Sequence, residues 1–254
     1  MVTLQKITDY LDKLLKIAEF TGDCSNNGLQ VEACSEVKKA IFSVDASLAL
    51  FEQATATNAD FIFTHHGLSW GSEPRRLVGF TAKRLATLFN NHISLYAAHL
   101  PLDGHPEIGN NALLGDAIGL LKRAMFCEYN GALIGVAGEL AKPAKLSHLA
   151  DIYLQSLSAI PEIFGKPETE VVKIGIISGG GGSSGLNAAI AAGLDCFITG
   201  EFKHEMYHLA REAGVTVLAL GHYCSETIGV KAVMENVKEK FDITCEFIDL
   251  PTGL

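Results

Sequence analysis

The strongest constraint on the fold is an order of elements that occurs twice. Asp60-Phe-Ile-Phe-Thr64 runs into His65-His66, and Asp195-Cys-Phe-Ile-Thr199 runs into Gly200-Glu201. Around the first segment, apolar runs and their period predict strands over 40–44, 61–64 and 93–98, separated by helices over 48–57 and 81–90. Around the second they predict strands over 171–177, 196–199 and 215–220, with helices over 186–192, 203–213 and 225–241. Parallel strands need crossovers of about a dozen residues, which these helices supply. The expected fold is α/β: two similar α/β halves in a duplicated, mostly parallel-sheet architecture, with a metal site in the crevice between them. The expected halves are 1–126 and 127–254, the boundary falling between 127 and 170. That middle stretch places Gly131, Gly135, Gly138, Pro143, Pro161 and Pro167 among apolar segments, so it is expected to pack against one or both halves rather than to act as a linker.

Composition narrows the partners. With 48% hydrophobic residues in 254, the chain can bury a large core, and a formal charge of -9 disfavours nucleic acid, which needs clustered Lys and Arg. The six cysteines are scattered without a CxxC pair, which fits a reducing cytoplasm better than a zinc ribbon or a disulfide framework. Leu4, Ile7, Leu11, Leu14, Leu15 and Ala18 share one helical face, the mark of an amphipathic helix and not of a signal peptide. No run of about 18 apolar residues is present. A cytoplasmic protein without membrane partners is the expectation.

Ligands of open α/β sheets gather beyond the carboxyl ends of the strands. Four such ends carry polar clusters: Thr64-His65-His66-Gly67, His99-Leu-Pro-Leu-Asp103, Thr199-Gly200-Glu201, and Gly221-His222 leading to Glu226. On a regular strand His65 and His66 point to opposite faces. Either Gly67 lets the backbone turn, or each imidazole serves a different cation. Pro101 argues against a helix across 99–103 and for an extended turn that swings Asp103 toward the crevice. Glu226 is expected in the first turn of the last helix, where the dipole favours a carboxylate, and its two oxygens could bridge two ions. The candidate ligands are therefore His65, His66, Asp103, His222 and Glu226. Imidazole with carboxylate suits Zn, Fe, Mn, Ni or Co. His99 is a candidate to orient Asp103, and Asp45, Gln30 and Glu201 are candidate bases or substrate contacts, or groups that only satisfy loop backbone.

Two other motifs compete. His204-Glu-Met-Tyr-His208 fits the HExxH pattern of zinc peptidases, but leaves His65, His66 and Asp103 unexplained. Gly180, Gly182 and Gly185 satisfy GxGxxG between a strand and a helix. A tight turn explains that run, and its backbone amides at Gly180 and Gly182 could also cradle a substrate phosphate.

The segments Asn27-Gly-Leu-Gln-Val31, Thr64-His-His-Gly67, His99 through Asn111, Phe197-Ile-Thr-Gly-Glu201 and Gly221-His222 with Glu226 together resemble the YbgI-like family, the GTP cyclohydrolase 1 type 2 homologues. The match runs in order along nearly the whole chain. It implies a two-part α/β fold, two divalent ions per chain and a ring-shaped homohexamer, without the inserted domain of longer relatives. It also implies that His65 and Asp103 bind one metal, His66 and His222 the other, and that Glu226 bridges them. The expected activity is a dinuclear metal-dependent hydrolase of a nucleotide or related small molecule, with bound water lowered in pKa from 15.7 toward about 7. In a GTP cyclohydrolase-like reaction the resulting hydroxide opens the purine imidazole ring with loss of formate. The alternative is a non-catalytic metal carrier or ligand-sensing scaffold.

Overall fold

The computed structural model describes residues 1–157 and 160–254. Two compact units make up the chain: Met1–Leu102 with Val230–Leu250, and Asp103–Gly229 with Pro251–Leu254. The units and the sequence repeat partition the chain at different places. The first unit stops at Leu102 and regains a C-terminal segment, because the strand Thr244–Phe247 pairs in parallel with Lys39–Asp45.

The first unit holds a five-stranded sheet in the order Thr244–Phe247, Lys39–Asp45, Phe61–His66, Ser94–Ala97, Gly28–Val31. Only the edge strand Gly28–Val31 is antiparallel to its neighbour. Residues 40–44 and 61–65 are buried without alternation, as strands covered on both faces must be. On one face Ile41, Ile62 and Leu95 pack with Leu50, Phe51 and Leu88 of the helices Leu48–Ala56 and Gly79–Asn90. On the alternate positions Phe42, Phe63 and Tyr96 form a row, with ring centroids 5.6 and 5.8 Å apart. Tyr96 donates its hydroxyl to Asp12 at 2.6 Å. The first helix, Leu4–Leu14, buries Leu4, Ile7 and Leu11 as its spacing predicts, but it ends before Ala18, which is exposed.

In the second unit a six-stranded sheet runs Leu121–Tyr129, Ala132–Lys145, Glu170–Ile177, Cys196–Thr199, Thr216–Ala219, Glu162–Phe164. Its three predicted strands, from Glu170–Ile177 to Thr216–Ala219, are parallel. The middle stretch of the sequence supplies the antiparallel strands on both sides. The packing expected of that stretch is thus achieved by extending the sheet.

The repeat is visible in hydrogen bonds. Asp60 Oδ2 accepts from the backbone N–H of Lys38 and Lys39 at 2.7 and 3.0 Å, and Asp195 Oδ2 accepts from Val172 and Lys173 at 3.0 and 2.8 Å. In each unit the same Asp also donates its N–H to that neighbouring strand (Lys39 O, Lys173 O) and accepts at its carbonyl from the next one (Ser94 N, Thr216 N). An aspartate before each central strand therefore clamps three strands in register, which explains why the two wordings begin with the same residue. Charge-assisted bonds of this kind are roughly twice as strong as neutral ones.

Candidate functional site

In the first unit three imidazoles converge. His65 and His66 end the strand Phe61–His66, and His99 follows the strand Ser94–Ala97. Ring centroids lie 4.6 Å apart for His65 and His66, 5.2 Å for His65 and His99, and 5.6 Å for His66 and His99. One ring nitrogen from each falls within 4.8 Å of the others. The backbone ahead of this cluster is drawn in tightly. A Cβ on Gly67 would lie 2.4 Å from Gln30 Oε1 and 2.6 Å from Ala97 Cβ, so only glycine fits.

Each imidazole meets an oxygen acceptor at Nδ1. His65 faces the Ala98 carbonyl at 2.9 Å, His66 faces Asp45 Oδ1 at 2.8 Å, and His99 faces Asp23 Oδ1 at 2.9 Å. A carbonyl or carboxylate can only accept, so Nδ1 carries the proton and Nε2 the lone pair of the neutral ring. Such partners fix the tautomer that a metal-binding imidazole needs. Asp45 thus touches His66. Gln30 spends its amide on loop backbone, accepting from Leu68 N and Ser69 N at 2.7 and 3.1 Å and donating to Asn26 O at 2.8 Å.

Asp23 attracted no attention in the sequence, yet its side chain is fully buried and accepts four hydrogen bonds, from Ser25 N, Asn27 Nδ2, His99 Nδ1 and Leu100 N. Burial pushes its pKa up, but the His99 imidazole, Asn27 and Ser25 outweigh it and hold the carboxyl at about 2, below its ordinary 3.8. The folded state therefore gains stability from ionised Asp23 in full above pH 3.8, and loses it as pH falls from there through about 2. Asp23→Asn is expected to melt well below wild type at neutral pH, with the gap shrinking across that acid window. A gap that stays constant down to pH 2 would rule this account out.

In the second unit Asp103 is buried, and one of its oxygens, Oδ1, accepts from both Asn110 Nδ2 and Ser178 Oγ at 2.9 Å. The expected extended turn before it is instead a short helix, Leu100–Asp103. Pro101 is tolerated because the first turn of a helix has no use for its N–H. Asn110 and Asn111 brace the same corner: Asn110 Oδ1 accepts from Gly229 N at 2.9 Å, and Asn111 binds Ser178 N, Ile134 O and Asp103 O.

His222 sits between two acids. Its Nδ1 lies 2.6 Å from Glu201 Oε1 and its Nε2 3.3 Å from Glu226 Oε1. Glu226 first, then Glu201, raise the imidazole pKa to about 9 against its partial burial. The last helix begins at His222, not near Ser225, so Glu226 lies one turn beyond its expected place. That shift puts the two side chains at i and i+4 on one face. Gly179 lets the glycine-rich loop pass beside them: its φ is +57°, and an added Cβ would lie 2.0 Å from Glu226 Oε1. Sequence reasoning missed Asn110, Asn111, Ser178 and Gly179 as supports. The adjacent Asn pair at a helix start was the available signal.

The HExxH reading fails geometrically. His204–Met206 is a 3-10 turn that gives way to an α-helix at Tyr207, and His204, Glu205 and His208 are exposed. They form no metal-ligand cluster among the described residues. Nor is any described helix long and apolar enough to cross a membrane.

The pattern of the Duf34/NIF3 (NGG1p interacting factor 3) family matches residues 2–252. The chain belongs to this family. It is similar to the GTP cyclohydrolase 1 type 2 homolog of Archaeoglobus fulgidus, 45% identical over 253 residues with all of both chains covered. The homolog of the same name from Pyrococcus horikoshii is 44% identical, with 98% of each chain covered. Among solved structures, protein ybgI, described as of unknown function, superposes with a TM-score of 0.90 at 34% identity over the full length of both chains. The resemblance drawn from the sequence motifs is therefore correct, and buried His, Asp and Glu groups able to hold a metal ion are present.

Proposed function

We propose that His65, His66, Asp103, His222 and Glu226 hold two divalent cations, and that the protein is a metal-dependent hydrolase of a nucleotide or related small molecule. The observation that carries this reading is the treatment of Nδ1. On His65, His66 and His222 it is engaged by a carbonyl, Asp45 and Glu201 respectively, which dedicates Nε2 to a second partner. The donor set contains imidazole and carboxylate and no thiolate, which fits Zn, Fe, Mn, Ni or Co and an open, catalytic type of site better than a structural one. By the family resemblance His65 and Asp103 would hold one ion and His66 and His222 the other, with Glu226 available to both. The same resemblance makes the assembly a homohexamer.

Bound ions would supply Lewis-acid polarisation of a substrate oxygen and activation of water at neutral pH. The chain's own groups supply the rest. Asp45 and Glu201 orient His66 and His222, and Glu226 and Glu201 favour a proton on His222 that this imidazole would have to give up to serve as a metal ligand. Ser178 and Asn110 occupy Asp103 Oδ1 and so direct Oδ2 to the ligand role. Gly180 and Gly182 are the proposed cradle for a substrate phosphate. Gly180 runs beside His222, whose Cε1 would lie 3.7 Å from an added Cβ.

The test is elemental analysis of purified protein with turnover against a nucleotide panel, for wild type and Glu226→Ala. Two equivalents of metal in wild type, at most one in the variant, and a loss of turnover of 100-fold or more are expected. Trp70 offers an independent readout, since the only Trp of the chain lies 6.0 Å from His66 and 5.1 Å from His99. Its fluorescence should change on metal addition. Metal at full stoichiometry with no Glu226-dependent turnover would favour the carrier reading instead.

A further inference from the structure

A cavity of about 400 Å³ opens in the second unit, lined by residues of the edge strand Glu162–Phe164, the segment 165–169, Phe202, the helix Tyr207–Ala213 and the strand Thr216–Ala219. Its size falls in the range of small-molecule sites. Three of its walls are aromatic: Phe164 and Phe202, with centroids 4.5 Å apart, and Tyr207. Its charged lining residues are Lys166 and Arg211, both cationic.

The state of those two cations is what points to a ligand. Three of the chain's other four arginines are committed: Arg75 donates to Ser72 and pairs with Glu73, Arg84 donates to the Ala46 carbonyl, and Arg123 donates to Asp116 and two carbonyls. Arg211 and Lys166 have no ion pair and no side-chain hydrogen bond among the described residues, and neither does the Tyr207 hydroxyl. In a chain of net charge -9, acidic partners are abundant. Two cations and no acid line this one aromatic cavity, the opposite of the chain's overall charge balance. A guanidinium matches the fork of a carboxylate, sulfonate or phosphate, and an ammonium adds a point charge. Phe and Tyr faces stack on a planar ring.

We infer that this cavity binds a small aromatic anion, a planar ring carrying a carboxylate, sulfonate or phosphate, with the ring against Phe164, Phe202 and Tyr207 and the acid group on Arg211 and Lys166. The inference does not depend on the metal reading, because none of the proposed metal ligands lines the cavity.

The probe is 1-anilinonaphthalene-8-sulfonate, followed by fluorescence titration of the metal-free, full-length protein. The neutral analogue N-phenyl-1-naphthylamine serves as control. Wild type is expected to bind one equivalent of the sulfonate saturably. Lys166→Ala/Arg211→Ala removes only exposed side chains, so it should keep the wild-type melting temperature while weakening the sulfonate at least tenfold and the neutral analogue less than twofold. Phe202→Leu should weaken both. Absence of saturable binding to wild type, as when a second copy of the chain covers the cavity, overturns the inference. So does an affinity for the sulfonate that the double variant leaves unchanged.

Discussion

Gly179→Ala is expected to cut metal occupancy tenfold or more, whereas Gly182→Ala should stay within about twofold of wild type. Both glycines adopt the left-handed region, with φ of +57° and +60°, so alanine incurs a similar backbone penalty at each, roughly 1 kcal/mol. What differs is the space. Nothing lies within 4 Å of a Cβ at Gly182, while a Cβ at Gly179 would sit 2.0 Å from Glu226 Oε1 and 3.1 Å from His222 Nε2. Glu226 is only 3% exposed, so its carboxylate has little room to retreat and must leave the position that faces His222. Elemental analysis and calorimetric metal titration of both variants check this. The pair is informative because strain is common to both members and displacement of the acid is confined to one. Equal occupancy in the two would show that Glu226 is free to move, and would count against its bridging role.

Much of this architecture was legible because the chain states it twice. Asp60 and Asp195 perform the same clamp, and the strands between their partners are the runs that periodicity found. What stayed hidden was non-local. The strand Thr244–Phe247 is a short, half-exposed segment, and its membership in the first sheet is decided by pairing with Lys39–Asp45, some 200 positions earlier, which no local pattern encodes. The strands after residue 120 carry a mixed pattern, because Leu121–Tyr129 is an edge with mostly exposed side chains. For the site, residue types at strand ends were enough to select His65, His66, Asp103, His222 and Glu226 as candidates. The local backbone was read less well. Pro101 opens a helical turn where an extended one was expected, since the rule against proline applies to helix interiors and not to their first turn. The His222 helix starts three residues early, because Gly221, at φ +84°, makes the turn and leaves His222 free to begin it. Supporting residues were the least visible. A buried Asp23 or Asn111 has the same letter as an exposed one, and only its hydrogen-bond partners reveal what it does.

Asn111→Ala is expected to produce the largest loss of stability among the substitutions considered, about 3 kcal/mol. Asn111 is 1% exposed. Its Oδ1 accepts from Ser178 N at 2.6 Å, and its Nδ2 donates to Ile134 O at 2.7 Å and Asp103 O at 3.3 Å. Truncation strands a buried donor and weakens the satisfaction of two buried carbonyls, each group costing roughly 1–3 kcal/mol when left without a partner. A water in the vacated space could recover part of this, which sets the expectation near the low end of the sum. Set against a total stability of roughly 5–15 kcal/mol, the variant should still fold, with a lower urea midpoint and an unchanged slope. Asn91→Ala provides the control: Asn91 makes one exposed bond, Nδ2 to Thr87 O at 2.7 Å, and should cost under about 0.5 kcal/mol. Because Ser178 in turn donates to Asp103 Oδ1, loss of Asn111 also loosens the acid proposed as a ligand. Metal affinity of the folded variant should therefore fall several-fold, a coupling absent in Asn91→Ala. If Asn111→Ala cost less than 1 kcal/mol, the neighbouring backbone would have to find other partners, and the corner that holds Asp103 would be softer than its hydrogen bonds imply.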